Sequence, residues 1–161
     1  MKKTVLILVL AGCGGAPSQP SAPSSTNGGG TSESPADRCL AIATAKRERK
    51  PDAPSKITAK HILVKYADAK KAPETVTRTR QDACLRALEA RSKLEQGAPF
   101  EEIVAAYSEE PGATTRAGSL GEIERADVVP AFADAAFELG RGDVSHVVET
   151  DFGFHIIVRT E

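Results

Sequence analysis

The most regular alternation in the chain lies at residues 57–66, where Ile62, Val64 and Tyr66 share one face and His61, Leu63 and Lys65 the other. A period of two over this length predicts a strand. After a polar loop, 67–75, the period lengthens to that of a helix from about Arg78 to Gln96. Thr79 with Asp82 three residues on resembles a capping box. Ala83, Cys84, Ala87, Leu88 and Leu94 form the expected buried stripe, and Gly97 stops the helix. Pro99 suits the first turn of a second helix, Pro99–Tyr107, with Phe100, Ile103 and Val104 facing inward. Glu109 to Gly118 is a turn-rich loop, Ser119–Ile123 a short strand and Pro130–Phe137 a short helix. Strands Val144–Glu149 and Phe154–Arg159 follow, joined across Thr150-Asp151-Phe152-Gly153 as a hairpin. The order predicts an α+β domain over 56–161, one mixed or antiparallel sheet covered by helices.

The N-terminal third follows a different pattern. Met1-Lys2-Lys3 is a short positive stretch, Thr4 to Leu10 is apolar, and Leu10-Ala11-Gly12-Cys13 supplies small residues before a cysteine. This order resembles a bacterial lipoprotein signal, residues 1–12, with Cys13 as the lipidated N-terminus. An ordinary signal peptide, or a chance cysteine, is the plainer alternative. The apolar run is too short to span a bilayer, which needs about 20 residues. Acyl chains contribute about 0.8 kcal/mol per buried methylene, so several together would hold the protein at a membrane. Gly14 stands where an aspartate would retain a lipoprotein at the inner membrane. By analogy with lipoprotein sorting, that favours the periplasmic face of the outer membrane in a Gram-negative cell. Residues 13–35 are rich in Ser, Pro and Gly and are expected to be a flexible tether. Residues 36–55 are expected as a short helical or irregular segment ahead of the domain. Leu40, Ala43 and Arg47 lie on one side of it, and Pro51 and Pro54 prevent continuation.

Composition adds limits. With 161 residues, 27% charged and 40% hydrophobic, the chain holds about one small globular domain. A formal charge of −1 creates no field that would attract nucleic acid. Cys39 and Cys84 have two readings: a disulfide formed in an oxidising compartment, or, for Cys84, a buried small hydrophobe.

Candidate chemistry begins with the histidines. One strand puts His61, Leu63 and Lys65 on a face; the last puts His155, Ile157 and Arg159 on a face. Were these strands neighbours, the two imidazoles would meet in apolar surroundings. Lys60-His61-Ile62-Leu63-Val64-Lys65 resembles the opening strand of parvulin-type peptidyl-prolyl isomerase domains. Tyr107-Ser108-Glu109-Glu110-Pro111-Gly112 with Gly118-Ser119-Leu120-Gly121, then Pro130 to Phe137, then Gly153-Phe154-His155-Ile156-Ile157 are similar to that family's later blocks, in the family's order. The resemblance covers about the whole of 56–161. It implies the parvulin variant of the FKBP-like superfold, a four-stranded sheet with about four helices.

It also implies a role for each matching residue. Leu120, Val128 and Phe132 would line a pocket for the proline ring, with Phe152 at its rim and Val128 where several relatives carry methionine. His61 and His155 match a pair of histidines in a hydrogen-bond network, with Thr150 at a matching position. Glu110 stands where relatives carry cysteine or aspartate, in an electrostatic or hydrogen-bonding role. The loop is one residue longer than in the cysteine-bearing relatives, so Glu109 and Glu110 can exchange that role. Lys65, Lys70 and Lys71 occupy the place of a basic cluster that binds phosphate in phosphate-directed relatives. Lysine lacks arginine's bidentate fork, so an acidic side chain before proline is the preferred substrate and phosphate second. No metal or cofactor is implied. The expected partners are proline-containing segments of exported proteins, bound by a monomer anchored through Cys13. A holding chaperone using the same groove is the alternative; a metal module built on the two histidines lacks a four-ligand spacing.

Overall fold

The computed structural model describes residues 33–161; the expected signal, Cys13 and the expected tether as far as residue 32 lie outside the described residues. The strand read from the 57–66 alternation forms as β1, Lys56–Val64. It is apolar on both faces, with Ile57, Ala59 and Leu63 buried to one side and Ile62 and Val64 to the other, so it must lie inside a sheet. β2, Ser119–Glu124, and β4, Gly153–Arg159, pair with its two edges, and β3, Val148–Thr150, pairs with β4. The sheet runs β2-β1-β4-β3, antiparallel throughout, so the mixed-sheet alternative is excluded.

Helices cover both faces. Helices α1 (Pro35–Ala43), α2 (Arg80–Glu95) and α3 (Phe100–Tyr107) pack over Ile62, Val64, Phe154 and Ile156. Helix α4 (Pro130–Ala136) packs over Ile57, Ala59, Ile123 and Ile157. Residue parity therefore puts His61 and His155 on the α4 face.

Four expectations change in detail. The first strand ends at Val64 rather than Tyr66 because side chains take the next residue's backbone groups. Glu109 Oε2 accepts the Lys65 N–H at 2.7 Å, and Arg78 Nη1 donates to the Lys65 carbonyl at 2.8 Å. The strand expected from Val144 shrinks to Val148–Thr150 plus one bridge, Val144 to Val158. Here the Ser145 hydroxyl accepts the Ile157 N–H at 2.9 Å, while the Ser145 carbonyl accepts from Arg91. In α2, Leu88 is exposed and Ala90 takes its place in the stripe with Ala83 and Ala87, at positions i, i+4 and i+7.

The fourth change concerns residues 36–55. Their helix starts at Pro35, with a complete capping box between Ser34 and Asp37, and ends at Ala43. It packs into the core rather than lying ahead of it. Cys39 and Ala43 are buried there, and Cys39 is bonded to Cys84. Cys84 is thus both buried hydrophobe and disulfide partner. Arg47, beyond the helix, pairs with Glu138 at 3.2 Å.

Candidate active site

The register of β1 and β4 sets the centre of the site. His61 pairs with Ile157 and Leu63 with His155, so the imidazoles are diagonal neighbours on one face. Their rings lie nearly parallel at 5.4 Å, with Nδ1 to Nδ1 at 3.2 Å. Beneath them the Phe132 ring meets both edge-on, at 5.5 and 5.3 Å between centroids. Phe132 is only 2% exposed, so it forms the floor of the site rather than an open wall.

The hydrogen bonds continue in both directions. His155 Nε2 lies 2.8 Å from Thr150 Oγ1, which also accepts the Phe152 N–H at 3.1 Å. His61 Nε2 lies 2.7 Å from Glu110 Oε2. With both rings neutral and Glu110 ionised, one direction satisfies every contact. The Thr150 hydroxyl donates to His155 Nε2, His155 Nδ1–H donates to His61 Nδ1, and His61 Nε2–H donates to the carboxylate. Glu109, the neighbour that could have exchanged roles with Glu110, is held elsewhere by Arg78, at 2.7 and 2.8 Å, and by the Lys65 N–H. Of the two carboxylates, Glu110 is the one that contacts the imidazole pair.

Two hollows open on this centre and share His61, Glu110, Phe152 and His155. One, about 360 Å³, is walled by Leu120, Val128, Val129 and Phe132. The other, about 310 Å³, is walled by Leu63, Lys65, Lys71 and Pro111. Leu120 is the extra residue of a bulge between β1 and β2, where Ala59–Gly121 and Lys60–Ser119 are successive pairs. Bulges of this kind re-aim a side chain. Gly118 lets the loop approach β1: its carbonyl accepts the His61 N–H at 2.8 Å, and a Cβ at its φ of +69° would lie 2.6 Å from the His61 carbonyl oxygen.

The model of the PPIC-type PPIase domain matches residues 42–161. The chain belongs to the PPIC-type peptidyl-prolyl cis/trans isomerase family. A peptidyl-prolyl isomerase of Drosophila melanogaster, dodo, is 36% identical over 113 residues, covering 67% of this chain and 68% of that protein. The foldase protein PrsA of Geobacillus kaustophilus is 37% identical over 106 residues, covering 66% of this chain but 32% of that one. Among solved structures, the peptidyl-prolyl isomerase ESS1 from Candida albicans aligns with a TM-score of 0.60 and 27% identity, covering 71% of this chain and 66% of that one. The chain thus spans about two thirds of the fly isomerase and one third of the foldase.

Seen as an isomerase site, the basic cluster divides. Lys65 is 4% exposed and its ammonium donates to the Lys71 carbonyl at 2.7 Å, so it shapes the loop as well as lining the second hollow. Lys71 lines that hollow in a left-handed conformation, φ 58°. Lys70 is exposed and lines neither hollow; its ammonium sits 5.3 Å from the centre of the Phe152 ring. Arg116, which the sequence did not single out, contacts Glu110 through Nη2. No local pattern marks it, because its partner is reached only through the path of the loop.

Burial acts on the titrating groups. Desolvation, reinforced by His61, pushes His155 down to about 3. For Glu110, burial by itself would raise the carboxyl, but the hydrogen bond and charge of His61, with Arg116, outweigh it and hold the group below the usual carboxylate value. His155 makes stability pH-dependent. In the unfolded chain it takes up a proton near 6.5, whereas the folded state resists until about 3. Its contribution is complete above 6.5 and lost as pH falls, by about 1.4 kcal/mol per unit. Urea unfolding of wild type and His155→Gln at pH 7 and pH 5 should show the wild type losing about 2 kcal/mol more than the variant. Equal losses would mean that His155 is not buried neutral.

Proposed function

We propose that this domain accelerates rotation about X–Pro bonds in exported proteins at the bacterial cell envelope, acting as a monomer anchored through Cys13. One observation carries the catalytic reading: an apolar hollow floored by Phe132 opens directly onto the His61–His155–Thr150 network and Glu110. The relatives called foldases support the assignment of unfolded, proline-containing chains as clients. The holding-chaperone alternative is not favoured, since both the family and the isomerase relatives point to catalysis.

The chemistry follows from the bond. Amide resonance sets a barrier of about 20 kcal/mol, and an unaided X–Pro bond takes tens of seconds or longer to turn. No bond needs to break, so an enzyme has only to favour the twisted amide over the planar one. Leu120, Val128, Phe132 and Phe152 surround the proline ring with apolar surface, which disfavours the more polar planar form. Glu110 and the imidazole pair supply a fixed polar edge beside the turning carbonyl, in a site that does not reorganise as the bond twists. His61, His155 and Thr150 are held by one another and keep that edge in place. No covalent intermediate is invoked.

The second hollow takes the residue before proline. Lys71 on its wall and Lys70 beside Phe152 give that end positive charge, favouring an acidic side chain there, with phosphate second. NMR exchange on tetrapeptides with Ala, Glu or phosphoserine before proline tests both steps. Glu-Pro should turn over about threefold or more faster than Ala-Pro at low salt, an advantage that added salt reduces. Lys70→Ala/Lys71→Ala should erase the difference while sparing Ala-Pro. Negligible rates on all three peptides would remove the enzyme reading, and a dominant phosphoserine rate would reverse the substrate order.

A further inference from the structure

Glu110 is held from two sides. His61 Nε2 approaches Oε2 from β1, at 2.7 Å, and Arg116 Nη2 donates to the same oxygen from the loop. The loop doubles back to bring Arg116 there: Ala113 N–H bonds the Glu110 carbonyl at 3.1 Å, and Gly118 N–H bonds the Ala113 carbonyl at 2.8 Å. The other arm of the guanidinium, Nη1, donates to the Pro111 carbonyl at 3.2 Å, so one planar fork spans the turn. Gly112 clears its path, since a Cβ there would lie 3.2 Å from Nη1.

We propose that Arg116 is a positioning residue of the isomerase site, which keeps the Glu110 carboxylate aimed at His61 beneath the proline hollow. Its role rests on the reading of Glu110 as a group that acts on the turning amide. A carboxylate on a loop with a single partner can turn to solvent or to another cation; the neighbouring Glu109 pairs with Arg78. A second partner on the same oxygen restricts that freedom. The titratable and charged groups facing Glu110 are His61 from β1, with His155 behind it on β4, Lys65 and Lys71 across one hollow, and Asp127 across the other. Arg116 is the permanent cation that touches it.

The consequence reaches past Glu110. An ionised Glu110 can only accept, so His61 Nε2 carries a proton, and with both rings neutral the direction of every bond back to Thr150 follows. A protonated Glu110 can donate instead, and the whole chain can then reverse. The side chains of Arg116 and Glu110 keep 40% and 23% of their exposure, so water screens the pair and its contribution to folding is small. Its effect falls on the aim of the carboxylate.

The test follows the Glu110 side-chain carboxyl by 13C NMR through a pH titration, the signal being assigned with Glu110→Gln, in wild type, Arg116→Gln and Arg116→Lys. Isomerase kcat/KM and thermal stability are measured beside it. Arg116→Gln should raise the midpoint and lower kcat/KM about fivefold, with the melting temperature little changed. Arg116→Lys should restore part of both, keeping the charge without the fork. An unmoved midpoint, or a moved midpoint with kcat/KM intact, overturns the positioning role. Full activity in Glu110→Gln would instead overturn the reading of Glu110 itself.

Discussion

Phe132→Ala is expected to lower stability by about 3–5 kcal/mol and kcat/KM by about tenfold. Two separate losses contribute. The ring is 2% exposed and packs in the core formed by α4 with Ile57, Ala59, Ile123 and Ile157, so truncation leaves a cavity that rigid strands cannot close. The same ring supports both imidazoles edge-on and floors the larger hollow. Without it, water can reach the histidine faces and the proline ring loses apolar contact. Phe132→Leu should keep most of the floor and cost about 1 kcal/mol. Denaturant melts establish that the Ala variant is folded under the assay conditions; if its kcat/KM then stays within twofold of wild type, Phe132 is core alone and the pocket assignment is wrong.

Opening the Cys39–Cys84 disulfide should have a comparable effect on stability and little on the site. The bond joins positions 45 apart, and restricting a loop of that length in the unfolded chain stabilises by about 4 kcal/mol on the chain-entropy model, an upper figure for a native bridge. It ties α1 to α2 on the sheet face opposite the histidines. Cys39→Ala/Cys84→Ala should therefore unfold about 2–4 kcal/mol more easily, while its folded fraction keeps wild-type kcat/KM. A reductant should destabilise the wild type and not the variant. A reductant that leaves the wild-type melting curve in place would show that the two thiols are not bonded in solution. Against a total stability of about 5–15 kcal/mol, a loss of this size is large.

How much of the site was legible differs from residue to residue. His61 and His155 stood out because each sits on a periodic strand, and the register then made them neighbours across 94 positions. The choice between Glu109 and Glu110 was open until Arg78 was seen to hold the first. Lys65 looked like a free cation because alternation says which face a residue is on, not whether its head group already has a partner. Leu88 fitted the helical stripe of α2 but proved exposed, since the extent of a buried face depends on what packs there.

From the chain alone came the order of strands and helices and the turn at Thr150–Gly153 and, through the family resemblance, the activity and the apolar set expected in the hollow. The first two are local properties: periodicity, capping and turn preference act within a few residues and leave their mark in neighbouring letters. Tertiary structure alone decided the antiparallel sheet order, the entry of α1 into the core, the burial of Phe132, the choice of Glu110 and the presence of Arg116 beside it. Each depends on strand register or loop path, which bring together groups whose spacing along the chain carries no periodic signal.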